Sequence, residues 1–282
     1  MPRLALAEPR GAAASQRALV LRILSALVLA PVAIAAAWFG SPWLPILTAA
    51  AGAVMAWEWA RLCGGGQVGT NGALLIIAVL VAVAAAGTLG IVSALLISVL
   101  GAILVRAVTA PRNGGGAHWL ALGALWVALP CVLLLWIAQR EGTGRLTVLW
   151  IFAVVWATDI GAYAAGRRLG GPRLAPRWSP GKTWAGLVGG VVCAALAGWG
   201  TAGILGLSSA LPLVLVSAGL AIVEQFGDLA ESVAKRRFGV KDSSGLIPGH
   251  GGLLDRLDGL LAVVPAVAVL SLVGGRSVLQ WQ

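Results

Sequence analysis

Long apolar segments separated by short polar loops fill most of this 282-residue sequence. A helix needs about 20 apolar residues to cross about 30 Å of hydrocarbon, because each residue adds about 1.5 Å. Only 11% of the residues are charged, whereas roughly a quarter are charged in a typical soluble domain. A bilayer offers no hydrogen-bonding partner to free backbone groups, so spanning segments of this kind must be helical. The sequence therefore predicts an all-α fold, a polytopic transmembrane helical bundle.

Nine segments are candidate spans, and the positions of the basic residues support this number. The segments cover residues 23–39, 43–60, 73–86, 89–105, 119–138, 146–165, 183–205, 210–229 and 254–273. The third and fourth are separated by a tight turn predicted near Gly87 and Thr88. With a cytoplasmic N-terminus, only Arg140, Arg145 and Arg276 of the 20 Lys and Arg residues fall on the outer side. Because basic loops favour the inner side of a membrane, we predict nine spans and a cytoplasmic N-terminus.

Charge and apolar content divide the chain into two parts. Residues 1–22 are basic and are predicted to form a flexible cytoplasmic tail. Residues 23–282 are predicted to form a single membrane-embedded catalytic domain, with N-terminal spans at 23–138 and catalytic spans and loops at 146–274. The net charge of +10 comes from basic residues scattered through short loops. This distribution favours membrane lipids rather than nucleic acid as the partner.

One stretch, residues 224–260, contains most of the acidic side chains: Glu224, Asp228, Glu231, Asp242, Asp255 and Asp258. Charged groups beside a bilayer are costly, which makes such a cluster a candidate functional site. The first three share a helical stripe with Lys235, and the last two open the ninth span on the same side. Carboxylates on two helix ends, across a glycine-rich loop at 245–252, predict a Mg²⁺ site, because Mg²⁺ prefers oxygen ligands and phosphates. Structural ion pairs, for instance between Lys235 and Asp255, are the alternative.

A second group of polar residues occupies positions 158–184. Asp159 lies in the sixth span, and Tyr163 follows one turn later on the same face. The arginine-rich loop after this span is typical of a cytoplasmic loop, and it is also a candidate phosphate-binding segment.

Residues 181–183 of this loop read Gly-Lys-Thr, but Pro176 stands where a P-loop needs glycine, so that motif is excluded. The remaining prediction is a phosphate site built from Ser179, Lys182 and the N-terminus of the next helix.

Two other charged positions carry separate predictions. His250 lies between glycines and close to Asp255, so it is a candidate for phosphate contact or proton handling, with an ordinary loop histidine as the alternative. Glu58 and Arg61 are three residues apart at the end of the second span, and this spacing predicts an ion pair between them, with a supporting role near the site as the alternative.

Together these residues resemble the phosphatidate cytidylyltransferase (CDP-diacylglycerol synthase) family. The resemblance rests on a signature that reads S-x-x-K-R-x4-K-D followed by P-G-H-G-G-x-x-D-R-x-D. In this sequence it is Ser232, Lys235, Arg236, Lys241, Asp242, Pro248, Gly249, His250, Gly251, Gly252, Asp255, Arg256 and Asp258. Two further segments, at 159–163 and 179–186, are similar to the family's D-x-G-A-Y and S-P-x-K-T-W-x-G. The chain departs from the usual pattern at Ala234 and Ala185, where no charged residue of the signature is lost.

The resemblance implies that CTP and phosphatidate react to give CDP-diacylglycerol and pyrophosphate in a Mg²⁺-dependent reaction. It implies catalytic roles for Asp228, Asp255, His250, Lys241 and Asp258, with Asp228 and Asp255 as the metal ligands. The implied substrate-binding residues are Ser179, Lys182, Thr183, Ser232, Lys235, Arg236, Asp242, Gly251, Gly252, Arg256, Asp159 and Tyr163. We expect a multi-pass plasma-membrane enzyme with its site at the cytoplasmic face, and a homodimer is a further expectation.

Three alternatives remain. A CTP-dependent polyprenol or lipid kinase would be another membrane enzyme that uses CTP, but the G-H-G-G-x-x-D-R-x-D run does not fit that class. An ion or phosphate transporter would place its acidic residues near mid-membrane within inverted repeats, whereas these cluster at one side. A CDP-alcohol phosphotransferase would need a D-G-x2-A-R motif, which this sequence lacks.

Overall fold

The computed structural model describes residue 25 and residues 27–113, 116–247 and 251–281. The predicted tail at 1–22 and His250 lie outside this part of the chain. The described residues form nine helices, a small hairpin and a short 3-10 helix. The helices are α1 (Leu27–Phe39), α2 (Trp43–Cys63), α3 (Gly69–Thr88), α4 (Ile91–Asn113), α5 (Ala117–Ala138), α6 (Gly144–Leu169), α7 (Trp184–Ile204), α8 (Leu211–Arg237) and α9 (Leu254–Val273), and the 3-10 helix is Val278–Gln280.

Each predicted span overlaps one of these helices, and this part of the prediction is confirmed. Seven helices, α3 to α9, are long and apolar enough to cross a membrane, whereas the described part of α1 is only 13 residues long. The break between the third and fourth spans lies a little later than predicted. Helix α3 continues through Gly87 to Thr88, and the chain turns at Gly90, whose φ of 84° a glycine adopts without steric cost. The number of spans and their orientation stay predictions.

A two-stranded hairpin between α6 and α7 was not predicted by the sequence. Strand β1 (Arg173–Ala175) pairs antiparallel with β2 (Ser179–Thr183), and Ala175 lies opposite Ser179. These strands are short and contain proline, glycine and arginine, so they lack the alternation that identifies longer strands. The hairpin places Ser179 and Lys182 immediately before α7.

The buried apolar side chains form two clusters. One lies mainly among α2, α3, α4 and α5, and it includes Met55, Trp59 and Leu75. The other lies mainly among α6, α7, α8 and α9, and it includes Trp150 and Val263. Helices α5 and α9 contribute residues to both clusters. They therefore join the N-terminal group of helices to the C-terminal group.

Small residues allow α7 to approach its neighbours closely. Its buried residues recur at every fourth position: Gly186, Gly190, Ala194, Gly198 and Ala202. Such a stripe of small residues lets helix backbones pack tightly in a membrane, where the hydrophobic effect does not drive association. Helix α6 packs against α7 more extensively than any other pair of helices does in the described part of the chain. The hairpin and the N-terminus of α7 are thereby fixed against the end of α6.

Candidate active site

Acidic side chains from three helices converge at one end of the bundle. Asp159 on α6 faces Glu224 and Asp228 on α8, and Asp258 on α9 faces Asp228. The close approach of α8 and α9 has a local cause in two glycines. A Cβ on Gly259 would lie 2.5 Å from Cγ of Glu224, and a Cβ on Gly227 would lie 2.9 Å from the Asp258 carbonyl oxygen. Only glycine permits this spacing, so these residues bring the two acidic stripes together.

The converging carboxylates line one part of a cavity of about 850 Å³. Its charged lining residues are Asp159, Asp228, Lys235, Asp242, Asp255, Arg256 and Asp258. The rest of the wall is apolar except for Thr48, and most of it comes from α1, α2, α5, α6 and α9, with residues such as Leu29, Leu47, Met55 and Phe152. The lining residues of α2 run from Leu44 to Met55, which corresponds to about 16 Å along the helix axis. The cavity thus combines a charged compartment with an extended apolar one.

Two lysines neutralise the two predicted metal ligands. Lys182 on β2 contacts Asp228 at 2.6 Å and donates a hydrogen bond to the Gln225 side chain at 2.9 Å. Lys235 on α8 contacts Asp255 at 2.6 Å and Glu231 at 3.1 Å. The ion pairing that the sequence left open for Lys235 and Asp255 is therefore present. These contacts place the side chains of both lysines next to the carboxylates that face the cavity.

Asp255 also organises the loop before α9. Its carboxylate accepts hydrogen bonds from the backbone N–H of Ser243 at 2.9 Å and of Gly252 at 2.8 Å, and from the Ser243 hydroxyl at 3.0 Å. Gly251 has a φ of 86° and pairs with Ile247 by two backbone hydrogen bonds. These contacts fold the loop back on itself, and they fix the direction of the Asp255 side chain.

The structure contradicts the ion pair predicted between Glu58 and Arg61. It does not pair with Arg61, whose guanidinium lies over the Trp57 ring at 4.8 Å and donates to the Gly66 carbonyl. The Glu58 carboxylate is fully buried and accepts hydrogen bonds from the loop that precedes α9 and from the first residue of α9. The sequence carries a signal for the alternative, a supporting role near the site, because a carboxylate within a predicted span is costly unless it has specific partners.

The other predicted residues are spread around this centre. Ser232 donates to Asp228 at 3.4 Å. Thr183 is buried, and its hydroxyl caps α7 by accepting from the Gly186 N–H at 3.0 Å. Arg236 is exposed and donates to the Trp178 carbonyl on the hairpin.

Three further predicted residues have more solvent-exposed positions. Ser179 is partly buried on β2, and Lys241 is exposed after the end of α8. Tyr163 is exposed, and its hydroxyl accepts from Arg167 at 2.8 Å. Tyr163 is absent from the residues that line the cavity in the described part of the chain.

The carboxylates match a hard cation in the type of donor atom that they offer. Two buried glutamates on α8 each have an oxygen that accepts no hydrogen bond among the described residues, namely Oε2 of Glu224 and Oε2 of Glu231. Within the same residues, no three acidic, histidine or cysteine side chains are arranged as a ready metal site. Mg²⁺ commonly uses one or two carboxylates and takes its other ligands from water and substrate phosphates. The site therefore fits Mg²⁺ bound together with a substrate rather than a metal enclosed by protein ligands alone.

Comparison with known proteins decides the family. The sequence pattern of the cytidylyltransferase family matches residues 20–273. The chain belongs to this family.

Several relatives of this cytidylyltransferase-family protein carry a common name. The phosphatidate cytidylyltransferase of Brucella suis is 39% identical over 257 residues, which are 90% of this chain and 92% of the relative. That of Pseudomonas aeruginosa is 36% identical over 261 residues, which are 88% of this chain and 95% of the relative. That of Haemophilus influenzae is 43% identical over 127 residues, or 43% of this chain. The predicted family resemblance is confirmed.

Proposed function

We propose that this protein transfers the cytidylyl group of CTP to phosphatidate and releases CDP-diacylglycerol and pyrophosphate. The observation that carries the proposal is the likeness to enzymes of this name along about nine-tenths of the chain. The cavity supports it, because a charged compartment suits phosphates and the adjoining apolar wall suits acyl chains. A water-soluble nucleotide and a membrane lipid can meet in such a cavity.

The reaction needs positioning and charge neutralisation more than proton transfer. The second pKa of a phosphomonoester is about 6, so the phosphatidate phosphate is largely dianionic at neutral pH. One of its oxygens attacks the α-phosphorus of CTP, a new P–O bond forms, and the bond to the β-phosphate oxygen breaks. The bonding electrons leave with pyrophosphate. Lys182, Lys235 and Arg256 surround the charged compartment, and their cationic groups stabilise the negative charge on the phosphates.

Asp228 and Asp255 are the residues that would hold Mg²⁺. They lie on α8 and α9 and both line the charged part of the cavity. The bound ion would supply charge neutralisation to the nucleotide phosphates. With a cation held by these carboxylates, Lys182 and Lys235 would be available to phosphate oxygens, because the two lysines neutralise the same carboxylates in this structure.

The remaining parts of the proposal concern the setting of the enzyme. We propose a plasma-membrane location with the charged compartment at the cytoplasmic face, since CTP is a cytosolic nucleotide and the basic loops are predicted to lie there. Anionic lipids are expected around those loops. A homodimer stays a prediction from the sequence.

Position-specific labelling of CTP tests the proposed reaction. Purified protein in phosphatidate-containing micelles is incubated with Mg²⁺ and with CTP labelled either at the α-phosphate or at the γ-phosphate. We expect the α label in the lipid product and the γ label in pyrophosphate. A lipid kinase would instead put the γ label in the lipid and leave the α label in CDP, and a transporter would label no lipid. EDTA should stop the reaction and added Mg²⁺ should restore it, and turnover that is indifferent to chelation would remove the metal from the mechanism.

A further inference from the structure

Glu58 is the one carboxylate of α2, and it reaches across the bundle to the opposite group of helices. Its exposed fraction is 0%. Its partners lie 185 to 196 residues later in the chain, at the start of α9 and in the loop before it. A buried carboxylate is costly unless hydrogen bonds or charges compensate it. A side chain placed this way therefore has a specific task at its contacts.

Both oxygens of Glu58 accept hydrogen bonds. Oε1 accepts from the Ser244 hydroxyl at 2.6 Å and from the Leu253 N–H at 2.9 Å. Oε2 accepts from the Leu254 N–H at 2.6 Å and from the Ser243 hydroxyl at 3.3 Å. The N–H groups at the start of a helix have no partner within the helix, and the helix dipole favours a negative charge there. Glu58 thus caps α9 from another helix.

The capped end of α9 is the end that carries Asp255. The Ser243 hydroxyl lies between the two carboxylates, at 3.3 Å from Glu58 Oε2 and 3.0 Å from Asp255 Oδ2. Gly252 packs directly against Glu58, since a Cβ on Gly252 would lie 2.5 Å from Glu58 Oε1. Glu58 and Asp255 therefore hold residues 243–244 and 252–254 from two sides. A shift of these residues would change the direction of Asp255 and its distance from Asp228.

We propose that Glu58 is a positioning residue of the cytidylyltransferase site: it fixes residues 243–244 and 253–254 to α2 and thereby directs Asp255 into the cavity. The catalytic importance of Asp255 rests on the proposed function. The anchoring of the loop by Glu58 rests only on the hydrogen bonds described above. Glu58 does not line the cavity in the described part of the chain. It acts through the loop and does not touch substrate.

The test replaces Glu58 with glutamine and follows both the reaction and the loop. Glutamine has nearly the same size, but its NH₂ group must face N–H and O–H donors on one side or the other. We expect E58Q to lower kcat about 100-fold, the effect of a displacement of about 1 Å at an active site. Hydrogen exchange followed by mass spectrometry should show faster exchange, by about tenfold or more, in peptides that cover 243–254. Peptides from α3 and α6 should exchange as in the wild type.

Two further variants keep the test decisive. E141Q removes the charge of an exposed glutamate in the loop between α5 and α6, and it should match the wild type in both measurements. S244A removes one donor to Glu58 and should give a smaller, local effect of the same kind, which decides the matter if E58Q does not fold. Wild-type kcat in E58Q or S244A, or faster exchange over the whole protein in S244A, would overturn the proposal. The exchange result does not depend on which reaction the protein catalyses, so a failed proposed function would be recognised separately by an inactive wild type.

Discussion

Asp228 and Asp255 have the same predicted role, but the structure holds them in different ways. The Asp228 side chain is 31% exposed, and its ion-pair partner is Lys182. The Asp255 side chain is only 4% exposed, and it accepts hydrogen bonds from two backbone N–H groups in addition to its pair with Lys235. Partly exposed ion pairs contribute little to stability, whereas a buried charge that loses its partner is strongly destabilising. The two residues should therefore differ in what their loss does to the fold.

Replacing each aspartate with asparagine separates these contributions. D228N should lower the rate of CDP-lipid formation at least about 100-fold, because a metal contributes several kcal/mol of charge stabilisation. It should leave the free energy of unfolding within about 1 kcal/mol of the wild type. D255N should lower the rate similarly and should also destabilise the protein by about 3–5 kcal/mol. The measurements are initial rates with labelled CTP and thermal unfolding in the same detergent.

The wild type and E141Q are the controls for this comparison. An active D228N enzyme would contradict the metal role of Asp228. A D255N enzyme as stable as D228N would show that the loop contacts of Asp255 contribute little. Both outcomes are read from the same protein preparations, so a loss of rate by unfolding is distinguished from a loss of chemistry.

At the scale of single residues, the sequence predicted contacts between residues that are close in the chain, and it missed a contact between two residues that are far apart in the chain. Glu231 and Lys235 are four residues apart on one predicted helical stripe and do interact. Glu58 and Leu254 are 196 positions apart, and no periodicity in the sequence relates them. The pair predicted for Glu58 and Arg61 was reasonable by spacing alone, but burial of Glu58 requires donors that a single helix does not offer.

Among the helices, the packing of α6 on α7 has a direct consequence for the site. A Cβ on Gly161 would lie 2.5 Å from the Gly189 carbonyl oxygen and 2.6 Å from Sγ of Cys193. A larger residue at this position must separate the two helices. Because Thr183 caps α7 directly after Lys182, a displaced α7 moves Lys182 away from Asp228.

We therefore expect Gly161→Ala to reduce both stability and activity. The destabilisation should be about 1–3 kcal/mol, as for other overpacked interiors. Gly200→Ala is the matched control, because Gly200 lies on α7 with nothing within 4 Å of a built Cβ. Alanine there should be neutral or stabilising by up to about 1 kcal/mol, since it is the better helix former. Thermal unfolding of the two variants beside the wild type is the measurement, and equal stabilities would contradict this account of the helix pair.

The elements themselves were predictable to unequal extents. The length of the apolar segments identified the helices, because the thickness of the hydrocarbon layer sets a minimum length for a spanning helix and the polar loops are much shorter. The turn at Gly90 was placed slightly early, since the surrounding run contains no charge and Gly87 offers an equally good sequence signal. The hairpin at 173–183 escaped prediction because contacts with α8, such as the Lys182–Asp228 pair, hold a segment of weak strand preference.

Across the whole molecule, the cavity lies where the two groups of helices meet. The N-terminal helices α1 and α2 supply much of its apolar wall, and α8 and α9 supply most of its charged residues. Neither group alone provides both compartments. The sequence predicted the charged part from local motifs, but the apolar part depends on packing between helices that are distant in the chain. The N-terminal helices therefore belong to the site as well as to the membrane anchor.

The orientation of this cavity in the membrane is the last prediction. Helix α6 is 26 residues long, or about 39 Å, and it separates the loop at Glu141 from the hairpin that carries Lys182. Glu141 and the exposed Val240, which follows α8, should thus lie on opposite sides of the membrane.

We replace Cys63, Cys131 and Cys193 with alanine, introduce E141C or V240C, and treat cells or inverted vesicles with an impermeant maleimide. V240C should react only in inverted vesicles and E141C only in intact cells, provided that both variants retain activity. The reverse pattern would place the charged compartment outside, away from cytosolic CTP, and labelling of both on one side would show that the count of spans between them is wrong.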